Sequence, residues 1–309
     1  MPSPKISIDE FVRLFETGGV KAVVAQTGVA ERNVYTRRRN IENSIGRLLV
    51  PPGLKKANHP ERFMLSVKDG IVMVGSDCHY WPNIISTAHR AFVHLAKRLQ
   101  PKAIIMNGDV FDGASISRHP PIGWEDNPDV EQEVTAAQER MAEIRDAAPN
   151  AKKIWPLGNH DARFEMRLAT VAPEFARMNG FHLKDHFPYW HPCYSCWIND
   201  EVVVKHRWKG GVHATHNNTL GSGKTMVTGH LHSLKVTPYS DYNGTRYGVD
   251  TGTLADPSGP QFAYSEDNPQ NHRQGFAVLK FWKGTLLPPE LVTVLDEGRV
   301  YFQGEVIDI

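Results

Sequence analysis

The chain has 309 residues, of which 40% are hydrophobic and 22% charged, a composition typical of a globular protein with ample apolar sequence for a core. No apolar run reaches the roughly 20 residues that span a membrane, and three cysteines do not suit a secreted disulfide framework. Since the opening Met-Pro-Ser-Pro also lacks the features of a signal peptide, we expect a cytoplasmic protein without a membrane partner.

The net charge of +1 hides an uneven distribution along the chain. Residues 1–68 hold 12 Lys and Arg against 6 Asp and Glu, which gives this segment a net charge of +6 and leaves −5 for the rest. A basic segment in front of an acidic one predicts that the two parts of the chain have different partners.

The N-terminal segment follows a helical pattern and predicts a small all-α domain over residues 1–50. A capping box at Ser7–Glu10 begins the first helix, which two glycines end. A second short helix is predicted over 20–26 and a third over 29–45. Proline and glycine then interrupt the pattern, so residues 51–62 are interpreted as a linker.

The second and third predicted helices, with the turn between them, resemble a helix-turn-helix over residues 20–42. Guanidinium groups on the last helix of such a unit can meet phosphates or guanine edges. The arginines there are Arg32, Arg37, Arg38 and Arg39. We therefore predict that this domain binds DNA. Two alternatives stay open, because similar three-helix units serve in dimerisation or protein docking and arginines on a helix can form a solvated face.

From Phe63 onward, short β-branched runs alternate with helical stretches. Buried strands are predicted at residues 71–74, 103–106, 154–157, 202–204 and 226–228. Helices are predicted near 84–99 and over 130–147, and the tail from Gly275 is predicted to be rich in strands. This alternation indicates an α/β sandwich over residues 63–309.

Polar residues of the types that bind metals follow directly after each of these strands. In chain order the clusters are Asp77 with His79, Asp109 with Asp112, Asn159 with His160 and Asp161, then His206, and finally His230 with His232. Open α/β sheets place their sites beyond the carboxyl ends of the strands. We therefore expect the clusters to converge in space.

The order Asp-x-His, Gly-Asp-x-x-Asp, Gly-Asn-His-Asp, His and Gly-His-x-His resembles the calcineurin-like metallophosphoesterases, over roughly residues 71–254. The resemblance implies a β-sandwich flanked by helices and a two-metal centre that hydrolyses phosphate esters with a metal-activated water. Seven residues match the family's ligands. One ion is assigned to Asp77, His79 and His232, the other to Asn159, His206 and His230, and Asp109 to both. This mixture of ligands favours Mn, with Fe, Zn or Ni as alternatives, over Ca.

The resemblance also assigns roles outside the ligand set. His160 is left to protonate the leaving oxygen or to stabilise the transition state, and Asp112 orients its imidazole. Arg163 and Arg167 follow the third motif and are candidates to bind substrate phosphates as bidentate donors. The alternative for these two arginines is a solvated helix face.

The assignment of His206 as a ligand has alternatives, because the glycine that usually follows this histidine in the family is replaced by Arg207. His213 and His216 lie close enough along the chain to take its place. We prefer His206 because it directly follows the strand at 202–204.

Two departures from the protein Ser/Thr phosphatases narrow the predicted function. Those enzymes have Asp-Arg-Gly at the end of the second motif and Gly-Asn-His-Glu at the third, whereas this chain has Asp112-Gly113-Ala114 and Gly158-Asn159-His160-Asp161. The pattern resembles the nuclease and phosphodiesterase branches and, with the basic N-terminal segment, predicts a nucleic acid phosphodiesterase. The alternatives are a phosphomonoesterase or small-nucleotide phosphodiesterase and, in another class, a DNA-binding regulator with an inactive phosphoesterase fold.

Overall fold

The computed structural model of the protein describes residues 6–47, 49, 51, 62–119, 123, 124 and 126–309. The chain divides into two compact units, Met1–Asn58 and His59–Ile309. The predicted linker at 51–62 contains this division, and most of it lies outside the described residues. No helix in the described part of the chain combines the length and the apolar character that a bilayer crossing requires.

The described residues of the first unit form helices and no strands, as predicted. Helix α1 spans Ile8–Thr27 and helix α2 spans Glu31–Ile45. Gly19 lies at φ 67° and divides α1 into two segments, so the described part of the unit contains the predicted succession of helical stretches. The buried core that joins them consists of Phe11, Phe15, Val23, Val34, Ile41 and Leu49.

The second unit contains both helices and strands. Its helices are α3 (Thr87–Leu99), α4 (Val130–Ala147), α5 (Asp161–Val171) and α6 (Ala214–Ser222). Short 3-10 helices lie at Pro173–Phe175, Leu183–His186 and Pro260–Ser265. The strands are β1 (Phe63–Leu65), β2 (Gly70–Gly75), β3 (Ala103–Met106), β4 (Lys152–Pro156), β5 (His191–Cys193), β6 (Cys196–Ile198), β7 (Val202–Val204), β8 (Thr225–Thr228), β9 (Lys235–Asp241), β10 (Gly244–Asp250), β11 (Gly275–Trp282), β12 (Thr285–Leu286), β13 (Glu290–Asp296), β14 (Arg299–Phe302) and β15 (Glu305–Asp308).

These strands form two sheets that pack face to face. One sheet has the order β15-β14-β13-β11-β2-β3-β4-β5 with β12 on β11, and the other has the order β1-β6-β7-β8-β10-β9. Along β2, Val72 and Val74 face the core between the sheets, while Met73 faces the core beneath α3 and α4. Since α6 packs on β8, β9 and β10, the unit is a β-sandwich flanked by helices, as predicted.

The topology brings the ends of several strands together. Strands β2, β3 and β4 are parallel in one sheet, and β7 and β8 are parallel in the other. The loops after them are joined by backbone bonds, in which the Asp77 N–H donates to the Gly108 carbonyl at 2.9 Å and the Gly229 N–H donates to the His206 carbonyl at 3.0 Å. The polar clusters predicted at the strand ends therefore do converge.

The predicted helix near 84–99 begins later in the structure than its apolar pattern suggested. Helix α3 starts at Thr87 because the Ser86 hydroxyl accepts the His89 N–H and caps it. The apolar residues Ile84 and Ile85 therefore precede the helix rather than form its first turn.

Candidate metal centre

Asp77, His79 and His232 form one group at the shared edge of the sheets. Their side chains are buried, and their possible ligand atoms lie within 4.8 Å of one another. His232 Nε2 is 3.0 Å from the Asp77 carboxylate. His79 uses Nδ1 to bond with Asp112 at 2.7 Å, which leaves Nε2 as its ligand atom. The structure thus brings together the three residues predicted for one ion.

Asp109, His206 and His230 form a second group, again with possible ligand atoms within 4.8 Å of one another. His206 Nε2 lies 3.1 Å from Asp109 Oδ2 and 4.0 Å from Asp77 Oδ1, so the two groups adjoin. His206 Nδ1 donates to the Asn107 carbonyl at 2.8 Å, which fixes the ring. His213, one of its competitors in the sequence, lies exposed just before α6.

Unpaired polar atoms indicate whether this arrangement suits metal ions. Buried side-chain atoms almost always have a hydrogen-bond partner. Within the part of the chain that the structure describes, four candidate ligand atoms are buried without one: His79 Nε2, Asn159 Oδ1, His206 Nε2 and His232 Nδ1. Imidazole nitrogens and amide oxygens beside carboxylates suit divalent transition ions. The residues therefore fit a metal centre.

The backbone of the candidate ligands is strained. Five of them adopt the left-handed conformation, which residues other than glycine rarely do: Asp77, His79, Asp109, His230 and His232, with φ from 40° to 70°. Each such residue costs about 1–3 kcal/mol, and strain of this kind is concentrated at functional sites. The surrounding fold therefore holds these side chains in place at the expense of stability.

Two glycines of the motifs make room for the ligands. A Cβ at Gly108, where φ is 83°, would lie 2.5 Å from His206 Nδ1. A Cβ at Gly158 would lie 2.0 Å from Asp109 Oδ1. Such distances are far inside van der Waals contact, so the glycine before Asp109 and the glycine before Asn159 are required by packing at the site.

The charges of the two groups act strongly on one another. Burial alone would raise the pKa of the Asp77 carboxyl, but the nearby His232 and His206 outweigh it and lower that pKa to about 2. Burial alone would lower the pKa of His206, but Asp109 and Asp77 raise it to about 10. Because a histidine ligand must be deprotonated, metal binding at this group competes with protons.

Asp112 contacts more than the single histidine predicted for it. Its carboxylate lies 2.9 Å from His160 Nδ1 and 2.7 Å from His79 Nδ1, so it orients a candidate ligand as well as the proposed proton donor. These three side chains also form a group within 4.8 Å. Burial lowers the pKa of His160, but the hydrogen bond to Asp112 and the charges of Asp109 and Asp112 outweigh it and raise that pKa.

The two predicted substrate-binding arginines lie on α5. Arg163 Nη2 is 3.1 Å from His160 Nε2, and Arg163 Nη1 donates to the Asp112 carbonyl at 3.0 Å. Arg167 lies one helical turn further along and is exposed. Arg163 is thus part of the site, while Arg167 lies at its margin.

Asp161 closes the third motif, and sequence reasoning gave it no role. Its buried carboxylate accepts five N–H groups at 2.8–3.2 Å, from the backbone of Asp109, Val110, Phe111 and Gly158 and from the Trp155 indole. It therefore joins the loop after β3 to the loop after β4, which carry Asp109 and Asn159. Burial and the neighbouring Asp109 raise the pKa of Asp161 to about 6.

Asp161→Asn is expected to lower the free energy of unfolding by about 2–4 kcal/mol, because the amide loses the charge and points N–H donors at other donors. The loss is measured by urea denaturation. The matched control is Asp185→Asn, an exposed residue that accepts one backbone N–H from Gly180, for which we expect a change below about 0.5 kcal/mol. Equal changes for the two variants would contradict this role.

Glu133 is a second residue whose role at the site no sequence motif indicates. It lies fully buried on α4, and its carboxylate accepts the backbone N–H groups of Gly113 and Ala114, directly after Asp112. Burial and the charge of Asp112 raise the pKa of Glu133 to about 7. Glu133 therefore holds the turn that presents Asp112 to the histidines.

In the N-terminal unit, the four predicted DNA-binding arginines differ in their surroundings. Arg32 and Arg39 are exposed, whereas Arg37 and Arg38 are half-buried. The guanidinium groups of Arg37 and Arg38 lie 5.0 Å above the rings of Phe11 and Phe15, and Arg38 pairs with Glu42 at 2.7 Å. These contacts hold α2 on α1, so only Arg32 and Arg39 of the four predicted arginines are exposed.

The chain matches the model of a known protein family. The family model described as calcineurin-like phosphoesterase matches residues 72–250, which include every candidate ligand. No curated protein matches the chain. Among solved structures, Yfce, a phosphoesterase from E. coli, aligns with 14% identity and a TM-score of 0.34, over 71% of this chain and 97% of that one.

Proposed function

The chain belongs to the calcineurin-like phosphoesterase family, and we propose that this metal-dependent phosphoesterase cleaves phosphodiester bonds of nucleic acids. The observation that carries the proposal is the pair of adjoining ligand groups, with His160 beside them and Arg163 at its Nε2 atom. A pair of divalent ions, when bound, activates a water and neutralises charge on the phosphate oxygens. Mn²⁺ is the ion we propose, since the ligands mix carboxylate, imidazole and amide.

The side chains around the ligands supply positioning and proton transfer. Asp112 engages His160 through Nδ1, so Nε2 is the atom that can pass a proton to the leaving oxygen. In the structure, Arg163 Nη2 lies 3.1 Å from that atom. Because a protonated Nε2 cannot accept a hydrogen bond, Arg163 then directs its donors to an oxygen of the phosphate group.

The nucleic acid part of the proposal is supported by the N-terminal unit. Residues 1–58 hold 10 Lys and Arg against 5 Asp and Glu, a net charge of +5, and Arg32 and Arg39 on α2 are exposed. Such a helix suits contact with a phosphate backbone. A regulator with an inactive phosphoesterase fold is disfavoured, because a relict site should have lost ligands, whereas all seven ligand-type residues are retained.

Replacing Arg32 and Arg39 together with Gln is expected to weaken duplex DNA binding and to flatten its salt dependence. Each phosphate contact contributes about −0.9 to the slope of log K against log salt, so losing two contacts should make the slope less negative by about 1.8. Fluorescence anisotropy of a labelled duplex at several salt concentrations measures the slope for the full-length protein.

The matched control is Arg13→Gln with Arg47→Gln, which removes the same charge from arginines already paired with Glu10 and Glu16. We expect its slope to stay close to that of the parent protein. If both double variants bind DNA as the parent does, α2 does not contact DNA and a docking role for this unit is favoured.

A further inference from the structure

Two cavities of the catalytic unit adjoin the candidate site. One has a volume of about 380 Å³ and reaches Asn159, and the other has a volume of about 660 Å³ and reaches Asp112 and His160. They share part of their walls, in Ser117, His119 and Arg163. We call them the arginine cavity and the aromatic cavity, after the side chains that line them.

The arginine cavity is lined by Arg118, Arg163, Arg167 and Arg207, and the lining residues that the structure describes include no Asp or Glu. Arg163 and Arg167 are four residues apart on α5, so they lie on one face of the helix. Arg118, Arg167 and Arg207 are exposed and form no ion pair with another described residue, whereas Arg163 Nη1 lies 3.9 Å from the Asp112 carboxylate. Guanidinium groups without a described acidic partner, beside a phosphoesterase site, suit additional phosphates of the substrate.

The aromatic cavity offers ring faces next to His160. Trp81 and Tyr264 line it, and Tyr264 is 57% exposed. The centroids of the Tyr264 and Phe262 rings are 6.2 Å apart, and those of the Phe262 and His79 rings are 5.5 Å apart. Phe262 thus contacts both the exposed Tyr264 ring and a candidate ligand. Base stacking on exposed aromatic side chains is worth roughly 1–3 kcal/mol per base.

We propose that the substrate is a single-stranded nucleic acid, with the cleaved phosphodiester at His160, neighbouring phosphates in the arginine cavity and a base stacked on Tyr264 in the aromatic cavity. This inference rests on the proposed function and names the substrate class of the same site. Proteins hold single strands by combining a positively charged groove with aromatic faces. A duplex keeps its bases paired and its backbone stiff, so it cannot place a base in the aromatic cavity.

The first test removes two charges from the arginine cavity in the full-length protein, Arg118→Gln with Arg207→Gln. With Mn²⁺, kcat/KM for a single strand of about 12 nucleotides should fall roughly tenfold more than kcat/KM for an aryl phosphodiester. The salt slope of single-strand binding should flatten by about 1.4, since each contact contributes about −0.7. The matched control is Arg98→Gln with Arg299→Gln, which removes the same charge from exposed arginines that line neither cavity. We expect it to leave kcat/KM unchanged for both substrates.

The second test separates stacking from hydrogen bonding at Tyr264. Tyr264→Ala should lower single-strand affinity about tenfold, while Tyr264→Phe, which keeps the ring face, should retain affinity close to the parent value. Equal losses for the two variants would overturn the stacking role and indicate that the hydroxyl group is what matters.

Separate measurements of strand binding and of hydrolysis distinguish a wrong substrate class from a wrong catalytic activity. Strand affinity is measured by anisotropy, independently of hydrolysis. An aryl diester that is hydrolysed, together with a dinucleotide cleaved as well as the longer strand, would overturn the inference in favour of a small-nucleotide substrate. Faster cleavage of the duplex of the same sequence, or equal single-strand affinity of the cavity variant and its control, would also overturn it. Absence of any phosphodiester hydrolysis with Mn²⁺ would count against the proposed function instead.

Discussion

Asp109→Asn is expected to be the most damaging single substitution at the site, with kcat for an aryl phosphodiester reduced by more than the roughly 10²–10³-fold that loss of one transition-state donor costs. The Asp109 carboxylate lies 3.1 Å from His206 Nε2 and accepts the His160 N–H at 2.8 Å, so it stands between the ligand groups and the proton donor. A carboxylate shared by two ions neutralises charge on both, whereas an amide supplies no charge.

The measurement combines steady-state kinetics with elemental analysis of bound metal. We expect the Asp109 variant to retain less metal than the parent protein as well as less activity. Asp146→Asn is the matched control, since Asp146 is exposed at the end of α4 and pairs only with its neighbour Arg145 among the described residues. A variant of Asp109 with the parent's metal content and rate would show that this carboxylate is not a ligand.

His160→Ala should reduce the rate by about 10²–10⁴-fold while the protein keeps its metal, because we assign His160 to proton transfer rather than to coordination. The alternative is that His160 is a metal ligand, because it also lies in a group with His79 and Asp112 whose geometry suits a metal ion. Elemental analysis decides between the two roles. Loss of bound metal in the variant would make His160 a ligand.

The leaving group offers an independent readout of the same role. Nitrophenolate leaves without a proton, so the rate loss in His160→Ala should be smaller for a nitrophenyl ester than for an alkyl ester of the same phosphate. An equal loss for both esters would mean that His160 acts on the phosphate group or on the ligand geometry and not on the leaving oxygen.

Sequence alone was sufficient for the parts of the fold whose signals are local. The strands before Asp77 and Asp109 are short, apolar and β-branched, and the structure places β2 and β3 there. The hairpin of β9 and β10 and helix α6 were not predicted. Strand β9 is partly exposed along most of its length, and α6 is largely polar, so neither has a strong apolar period to recognise.

The network around the ligands could not be predicted, because it depends on how separate loops pack together. Asp161 and Glu133 look like ordinary acidic residues of helices, and only the fold brings their carboxylates to the loops that carry Asp109 and Asp112. The same limit applies to Arg37, which was predicted to contact DNA but is half-buried in the structure, with its guanidinium group over the Phe11 ring. Sequence spacing identifies candidate ligands, and tertiary packing decides what supports them.

The most direct test of a two-metal phosphoesterase is to strip the full-length protein with a chelator, titrate it with Mn²⁺, and follow bound metal and aryl phosphodiester hydrolysis in the same samples. We predict no turnover in chelator and full recovery as two ions bind per chain. Full activity in chelator, with no bound metal by elemental analysis, would contradict the two-metal account.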